Sequence, residues 1–392
     1  MTQSTGSGEP LDRSPTITGV GMTVFTNKDE RPLLELLTTA ADRALDDADV
    51  IPTNIDSLHV GNAAAEAFNR RSGLANALSS ELGITDITAR RIENTSASGA
   101  SAFLDAFDAI RSGRSQAALI IGGEKMSAAD TATSTEIISR ITHDAEYEQG
   151  VTLPSFAGLA ADRYFRMYDA DREDLAHVAV KNHDNARQNP YAHFDKEVTV
   201  DDVLESPVVA DPLRLYDCCP TGDGAAAVLL TAGDDGVEVA ACEGAVGTHA
   251  VADRSDPLKI ESVREAGNSA YAAADVTPAD IDVACIHDAF SILEWLEVEE
   301  LGLAERGKAW QLTVDGTTNR DGSLPINPGG GLKARGHPLG GTGISQIIEL
   351  VWQLRGDAPN NRAVGDVNCG LAVNVAGFGN NSVCTVLKGE TA

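Results

Sequence analysis

Aromatic residues are scarce in this sequence, at 5% of 392 residues. Its core must therefore be built from Ala, Val, Leu and Ile rather than from large rings. Positive charge is also short: 30 Lys and Arg stand against 59 Asp and Glu, a net of -29. Such a chain repels phosphate-rich polymers and anionic lipid, which argues against nucleic-acid or membrane-surface binding. No stretch is apolar for the roughly 18 residues a membrane helix needs, so no such helix is expected. Met1 to Ser14 lacks the basic-then-apolar order of an export signal and reads as a flexible tail. The six cysteines, Cys218, Cys219, Cys242, Cys285, Cys369 and Cys384, form no C-x-x-C pair and no zinc spacing. They are expected as reduced, small apolar side chains with no metal bound. Together these absences predict a cytoplasmic protein. The acids are spread along the chain rather than gathered into a tail, as in a solvated surface adapted to high salt, where the Debye length falls to about 3 Å.

What the chain has in quantity is glycine, 37 residues, set among alternating short apolar runs and helical stripes. Thr16 to Phe25 reads as a buried strand. Pro32 opens a helix with Leu34, Leu37, Ala40, Ala41, Ala44 and Leu45 at helical spacing. Strands are expected at Ile55–Val60, Ala89–Ile92 and Ala117–Ile121, with helices near Ser72–Leu82 and over Ser98–Arg111. The rhythm returns later: strand Val237–Cys242, helix Lys259–Ala273, strand Ile281–His287, helix Ile292–Leu301, helix Ile344–Arg355, and strands near Val364–Val375 and Ser382–Leu387. Two similar strand–helix runs imply α/β layers and a duplicated unit. Met126 to Leu215 is less regular and reads as an insertion over one face, after which Gly224–Leu230 returns to the sheet. The expected division is a tail at 1–14, a first half from 15–125 with 216–235, an inserted loop domain at 126–215, and a second half at 236–392.

Three segments carry candidate chemistry. Asn94-Thr95-Ser96-Ala97-Ser98-Gly99 joins a strand to a helix start, where unpaired N–H groups stabilise negative charge. This suits a nucleophile, although the motif alone reads more simply as a capping cluster. No G-x-S-x-G elbow is present, which speaks against an ordinary α/β-hydrolase. His287-Asp288-Ala289-Phe290 lies just past a strand end, where ligands collect in α/β folds, although histidines also cap helices and fill cores. Asn327 to Gly343 holds seven glycines from Gly329 to Gly343, with His337 between Gly336 and Pro338. It has neither P-loop nor dinucleotide spacing, and its glycines are expected to let backbone approach a ligand. A further glycine turn, Asn374-Val375-Ala376-Gly377-Phe378-Gly379-Asn380, is by itself no more than a hairpin.

Taken in order, these segments resemble the thiolase superfamily, and more narrowly its archaeal and sterol-carrier-type members. The resemblance runs from Ile17-Thr18-Gly19-Val20-Gly21-Met22 to Thr385-Val386-Leu387, and takes in Asn189-Pro190-Tyr191-Ala192 and Asp217-Cys218-Cys219-Pro220. It implies a thiolase fold: two duplicated βαβαβαββ halves, each with five strands, in an α/β/α/β/α arrangement with an inserted loop domain. It also implies dimers or tetramers, acyl-CoA and CoA as substrates with no other cofactor, and a separate small OB-fold, zinc-ribbon subunit. The chain departs from the pattern at one decisive place, because Ser96 stands where such thiolases carry their nucleophilic cysteine. The slots for the second cysteine hold Val375 and Ala289. An alcohol is un-ionised at neutral pH and needs a base, which the resemblance supplies as His337. The N–H groups of Ser96 and Gly377 would form the oxyanion hole. His287 would replace the lost cysteine in taking a proton from C2 of the second acyl-CoA, or help polarise its thioester. Arg70, Arg71, Lys181 and Arg187 are candidates for the CoA phosphates, against the plainer reading of solvated surface cations. The activity so implied is a β-ketothiolase working through acyl-Ser96. The rivals are a thiolase-fold aldolase acting on β-hydroxyacyl-CoA without an acyl-enzyme, and a non-catalytic acyl-CoA-binding scaffold.

Overall fold

A computed structural model describes residues 15–233 and 235–389, so the tail expected at 1–14 lies outside the described residues. The first half contributes β1 (Thr16–Met22), β2 (Ser57–Gly61), β3 (Thr88–Ile92) and β4 (Ala117–Lys125). A small antiparallel pair, β5 (Val208–Ala210) and β6 (Leu213–Arg214), lies in the inserted segment. The remaining strands are β7 (Asp223–Thr231), β8 (Val237–Val246), β9 (Val283–Cys285), β10 (Cys369–Ala376) and β11 (Asn381–Lys388). Apart from β5 and β6 they form one sheet in the order β3-β2-β4-β7-β1-β8-β11-β10-β9.

The duplication is visible in the pairing. β2 runs parallel to β3 and β4, and the ladder then turns antiparallel through β7 and β1. In the second half β9 is parallel to β10, and the ladder turns antiparallel through β11 and β8. The halves meet where Thr16 and Ile17 of β1 face Glu238 and Val237 of β8. The expected fifth strand of the second half is reduced to a single parallel bridge between Ile326 and Ala284. Proline flanks it at 325 and 328, and Asn327 has φ of 56°, so neither extended backbone nor a full set of N–H donors continues there.

Amphipathic helices cover this sheet. Leu33–Asp47 buries Leu33, Leu36, Leu37, Ala40, Ala41, Ala44 and Leu45 on one face, packing on β1, β4 and β7. Glu261–Ala274 lies in the same way on β8 and β11. Between the halves run Ser98–Arg111 and Leu339–Arg355, in contact with each other and with strands of both. The second of these is buried from Leu339 to Gln353 on every side, as a central helix must be.

That central helix corrects the reading of the glycine segment. It begins at Leu339 rather than Ile344, with Gly340, Gly341 and Gly343 inside it. Its glycines serve backbone-to-backbone packing, not approach to a ligand. A Cβ on Gly99 or Gly122 would run into the Gly340 carbonyl oxygen, and one on Gly340 into the carbonyl of Gly61. The roughly 1 kcal/mol that each helical glycine costs is offset by this close approach. The inserted segment is also more regular than its composition suggests. It carries the helices Thr131–Ser139, Asp144–Glu148, Leu153–Met167, Arg172–Ala186 and Val200–Glu205. Thr152, Asp171 and Thr199 close capping boxes at three of their starts. Among the described residues, no helix is long and apolar enough to cross a membrane, and no group of three or more His, Cys, Asp or Glu is gathered for a metal ion.

Candidate active site

Ser96 sits in the single 3-10 turn Thr95–Ala97 that joins β3 to the helix Ser98–Arg111. The capping work there falls to Ser98, whose Oγ accepts from the Asn94 N–H at 2.9 Å and donates to the Thr95 carbonyl at 2.6 Å. Ser96 is thereby left out of the cap. Its own hydroxyl is buried and donates to the Val375 carbonyl on β10 at 2.9 Å.

His337 precedes the helix Leu339–Arg355 and follows Gly336, whose φ of 109° admits no side chain without strain. Its Nδ1 lies 2.7 Å from Thr342 Oγ1, which in turn donates to the Pro338 carbonyl at 3.0 Å. A hydroxyl has one proton, so Thr342 accepts from Nδ1–H and the His337 Nε2 is left bare. Burial, reinforced by the Arg335 charge, pushes its pKa down to about 3. His287 lies just beyond β9, and the Asn374 side-chain amide donates to its Nδ1 at 2.9 Å. In this orientation Asn374 Oδ1 has no partner, whereas the flipped amide would leave a buried N–H unpaired, the rarer defect. The ring proton of His287 is therefore on Nε2. Burial, then the neighbouring His337, hold the His287 pKa well below the ordinary value. The two rings meet edge to face with centroids 5.0 Å apart.

These groups face one cavity of about 210 Å³, lined by Ser96, His287, His337 and Gly377, with Met126, Ile138, Ile141, Leu153 and Leu339 giving it an apolar cover. β10 supplies three neighbours of the site: Asn374, the Val375 carbonyl, and Gly377 just past its end, at φ of 60°. Glu124, at the end of β4, ties the halves together beneath it. Its carboxyl accepts from the N–H groups of Ala63, Ala64 and Gly340 at 3.0, 3.1 and 3.2 Å. Burial raises its pKa to about 7 despite those donors.

Comparison with known proteins agrees with this architecture. The family model for the thiolase N-terminal domain matches residues 16–234, and that for the thiolase C-terminal domain-like unit matches 244–389. This chain belongs to the thiolase family. It is 40% identical over 385 residues to the acetyl-CoA acetyltransferase of Methanothermobacter thermautotrophicus, covering 96% of this chain and 100% of that one. It is 32% identical to human sterol carrier protein 2, covering 95% of this chain and 71% of that protein. Among solved structures, the Ltp2-ChsH2(DUF35) aldolase superposes with a TM-score of 0.84 at 23% identity, covering 98% of this chain and 100% of that one. Human mitochondrial 3-ketoacyl-CoA thiolase in complex with CoA gives 0.75 at 17% identity, covering 98% and 100%.

Within this thiolase fold the four cations proposed for CoA phosphates are scattered, and none lines the cavity. Arg70 and Arg71 are exposed beside the helix Ala65–Asn69. Arg187 lies between Asp184 at 3.5 Å and Glu197 at 3.6 Å. Lys181 is a correction: it is buried and ion-paired with Glu294, so it is an interior support and not a phosphate clamp. Pulling it away would strand a buried carboxylate, at a cost of several kcal/mol. Two lining residues escaped notice in the sequence, Cys218 and Cys219. Cys218 pairs with Phe290 in an isolated bridge, and the Cys219 N–H donates to the Ala289 carbonyl at 2.8 Å, which draws both toward His287. Burial pushes their thiols up to about 11 and about 12, so both are protonated at neutral pH. The only signal for them was their place in the Asp217-Cys218-Cys219-Pro220 match.

Proposed function

We propose that the chain is an acyl-CoA C-acyltransferase of the β-ketothiolase kind, forming or cleaving 3-ketoacyl-CoA through an ester on Ser96. The observation that carries this reading is the convergence of Ser96, His287, His337 and Gly377 on one largely apolar cavity. When a thioester carbonyl enters, the Ser96 proton passes to the bare His337 Nε2 as Oγ attacks. The developing oxyanion is met by the N–H groups of Ser96 and Gly377. The same proton then leaves with the CoA sulfur, so no net charge is created in the dry site. In the second step His337 Nε2 takes a proton from C2 of the incoming acyl-CoA, and the His287 Nε2–H stabilises the enolate oxygen. The C2 carbon then attacks the ester carbonyl, and Ser96 Oγ leaves with the proton held on His337. The ring tautomers support a proposal with His337 as the base and His287 as the donor, a different division from one that has His287 remove the C2 proton. Cleavage by free CoA is the same path reversed. A homo-oligomer and a separate small subunit complete the proposal. Two relatives support the second of these: one solved neighbour is described with ChsH2(DUF35) beside Ltp2, and a relative in Thauera aromatica, 30% identical, is a benzoylsuccinyl-CoA thiolase subunit.

One observation favours the aldolase reading instead, which needs no ester: the Ser96 hydroxyl donates to Val375 rather than to an imidazole. Thiolysis of acetoacetyl-CoA in molar KCl by wild type, Ser96→Ala and Ser96→Cys separates the two. The transferase reading expects Ser96→Ala to lose at least about 10³-fold in kcat and Ser96→Cys to retain activity or gain it. Full activity in Ser96→Ala would contradict it.

A further inference from the structure

A second hollow, of about 900 Å³, opens on the far side of the oxyanion-hole turn. Gly377 lines the catalytic cavity, while the next residue, Phe378, sends its ring into the wall of this groove. The helix Leu153–Met167 is shared in the same manner: Leu153 and Pro154 face the cavity, while Phe156, Leu159 and Ala160 face the groove. Phe378 and Phe156 are both buried and pack against each other with ring centroids 5.7 Å apart. Beyond them the groove runs out to Leu159 and Met167, which are 68% and 49% exposed. A largely apolar groove therefore starts one residue from the Gly377 turn, is walled there by a pair of rings, and reaches the surface, with Glu146, Asp162, Arg163, Arg166 and Arg254 also in its lining.

We propose that Phe378 is the residue that fixes acyl-chain length, with Phe156 as its backstop, and that the groove behind them is a closed subsite for the distal part of a longer acyl chain. This rests on the acyl-CoA reading above. The carbonyl carbon of an acyl group must sit by Gly377 to use its N–H, so the chain grows toward whatever lies beside that turn. The small cavity holds a short acyl group. Phe378 lines the groove and not the cavity, so in this proposal its ring stands between the two, and the groove is the next apolar space for carbons beyond the cavity. Alanine at 378 removes the ring and joins the two volumes.

The test compares kcat/KM for 3-ketododecanoyl-CoA and acetoacetyl-CoA in wild type, Phe378→Ala and the milder Phe378→Leu, with calorimetric Kd values for dodecanoyl-CoA and acetyl-CoA on the same proteins. Wild type is expected to favour the short substrate. Phe378→Ala should raise the long-to-short ratio by about 100-fold, since each fitted or rejected methylene weighs about 10-fold or more in an apolar pocket. Adding Leu159→Trp, which fills the groove, should take that gain away. An unchanged ratio in folded Phe378→Ala and Phe378→Leu, or a wild type that turns over both substrates equally, would overturn the proposal. Should no form cleave any 3-ketoacyl-CoA, the transferase reading fails, and the calorimetric ratio decides the gate alone: a gain in dodecanoyl-CoA affinity in Phe378→Ala supports it and no gain refutes it.

Discussion

The two halves of this molecule repeat one ladder of strands and one central helix, yet they bring different residues to the same place. Ser96 stands two residues before the helix Ser98–Arg111, and His337 stands two residues before its counterpart, Leu339–Arg355. Both positions look into the junction between the halves. The first junction is the short turn Glu93–Ala97 after β3; the second is the long, buried run Asn327–Pro338, with a short helix at Gly331–Arg335. The short turn sets a buried hydroxyl at a helix start, where N–H groups favour an oxyanion. The long one holds an imidazole by Thr342 and keeps it neutral by burial. Duplication thus supplies two equivalent helix mouths, and in the proposed mechanism the residue at each sets its role, Ser96 as acyl carrier and His337 as base.

Removing the imidazoles should have the largest effect. His337→Ala removes the base for both steps and should lower kcat by about 10³- to 10⁴-fold. His287→Ala removes only the donor of the second step, so steady-state C–C bond formation should fall by about 10²- to 10³-fold. In a rapid-quench assay the first acyl transfer from acetyl-CoA should stay near the wild-type rate in His287→Ala and vanish in His337→Ala. Equal loss of that first step in both variants would break the distinction.

Next come the contacts that let the halves approach. Gly122→Ala sets a methyl against the Gly340 carbonyl, backbone against backbone, and should cost more than about 3 kcal/mol in urea unfolding. Gly83→Ala has nothing within 4 Å of the new methyl and only a φ of 68° to bear, so it should cost about 1 kcal/mol. Similar costs at the two sites would show that the glycines are not what brings the halves together.

The tie between the halves should also respond to pH. The pKa of Glu124 is raised from 4.5 to about 7 in the folded protein. Its contribution to stability is therefore fully present below pH 4.5 and is lost as pH rises through 7. Burial likewise raises Glu294, Glu297 and Glu300, and they act in the same direction. Buried His287, His337 and His183, held low, act in the opposite direction. The Glu124 part is therefore read as the unfolding free energy of wild type minus that of Glu124→Gln, and this difference should fall from pH 5 to pH 8 by at most about 3 kcal/mol. A rise over that interval would contradict the assignment of Glu124.

Much of this was legible in the chain. The stripe from Leu33 to Leu45 and the strand–helix alternation declare the layers, because apolar spacing is a local property. His337 stands out in its own segment, whereas Ser96 and His287 are marked only by the order of the segments along the chain, since alone theirs read as readily as a cap and a core histidine. The glycines of the central helix misled, since a residue without a side chain gives no sign of whether a ligand or another backbone will come close. Lys181 misled for a related reason: a lysine on a polar helix looks solvated until Glu294, 113 residues away, is found against it. The helices of 126–215 were hidden by their Thr, Asp and Asn, which cap helix starts as often as they break helices. Cys218 and Cys219 reach the cavity only through pairing with Ala289 and Phe290, a tertiary contact that no local pattern announces.

The central claim concerns one oxygen. Wild type mixed with acetyl-CoA, quenched in acid and digested, should show one acetyl group on the peptide holding Ser96. That group should be absent from Ser96→Ala and from His337→Ala, and should be lost from wild type when free CoA is added before the quench. An enzyme that turns over acyl-CoA with no adduct at any quench time, and whose Ser96→Ala form cleaves β-hydroxyacyl-CoA as fast as wild type, would contradict it.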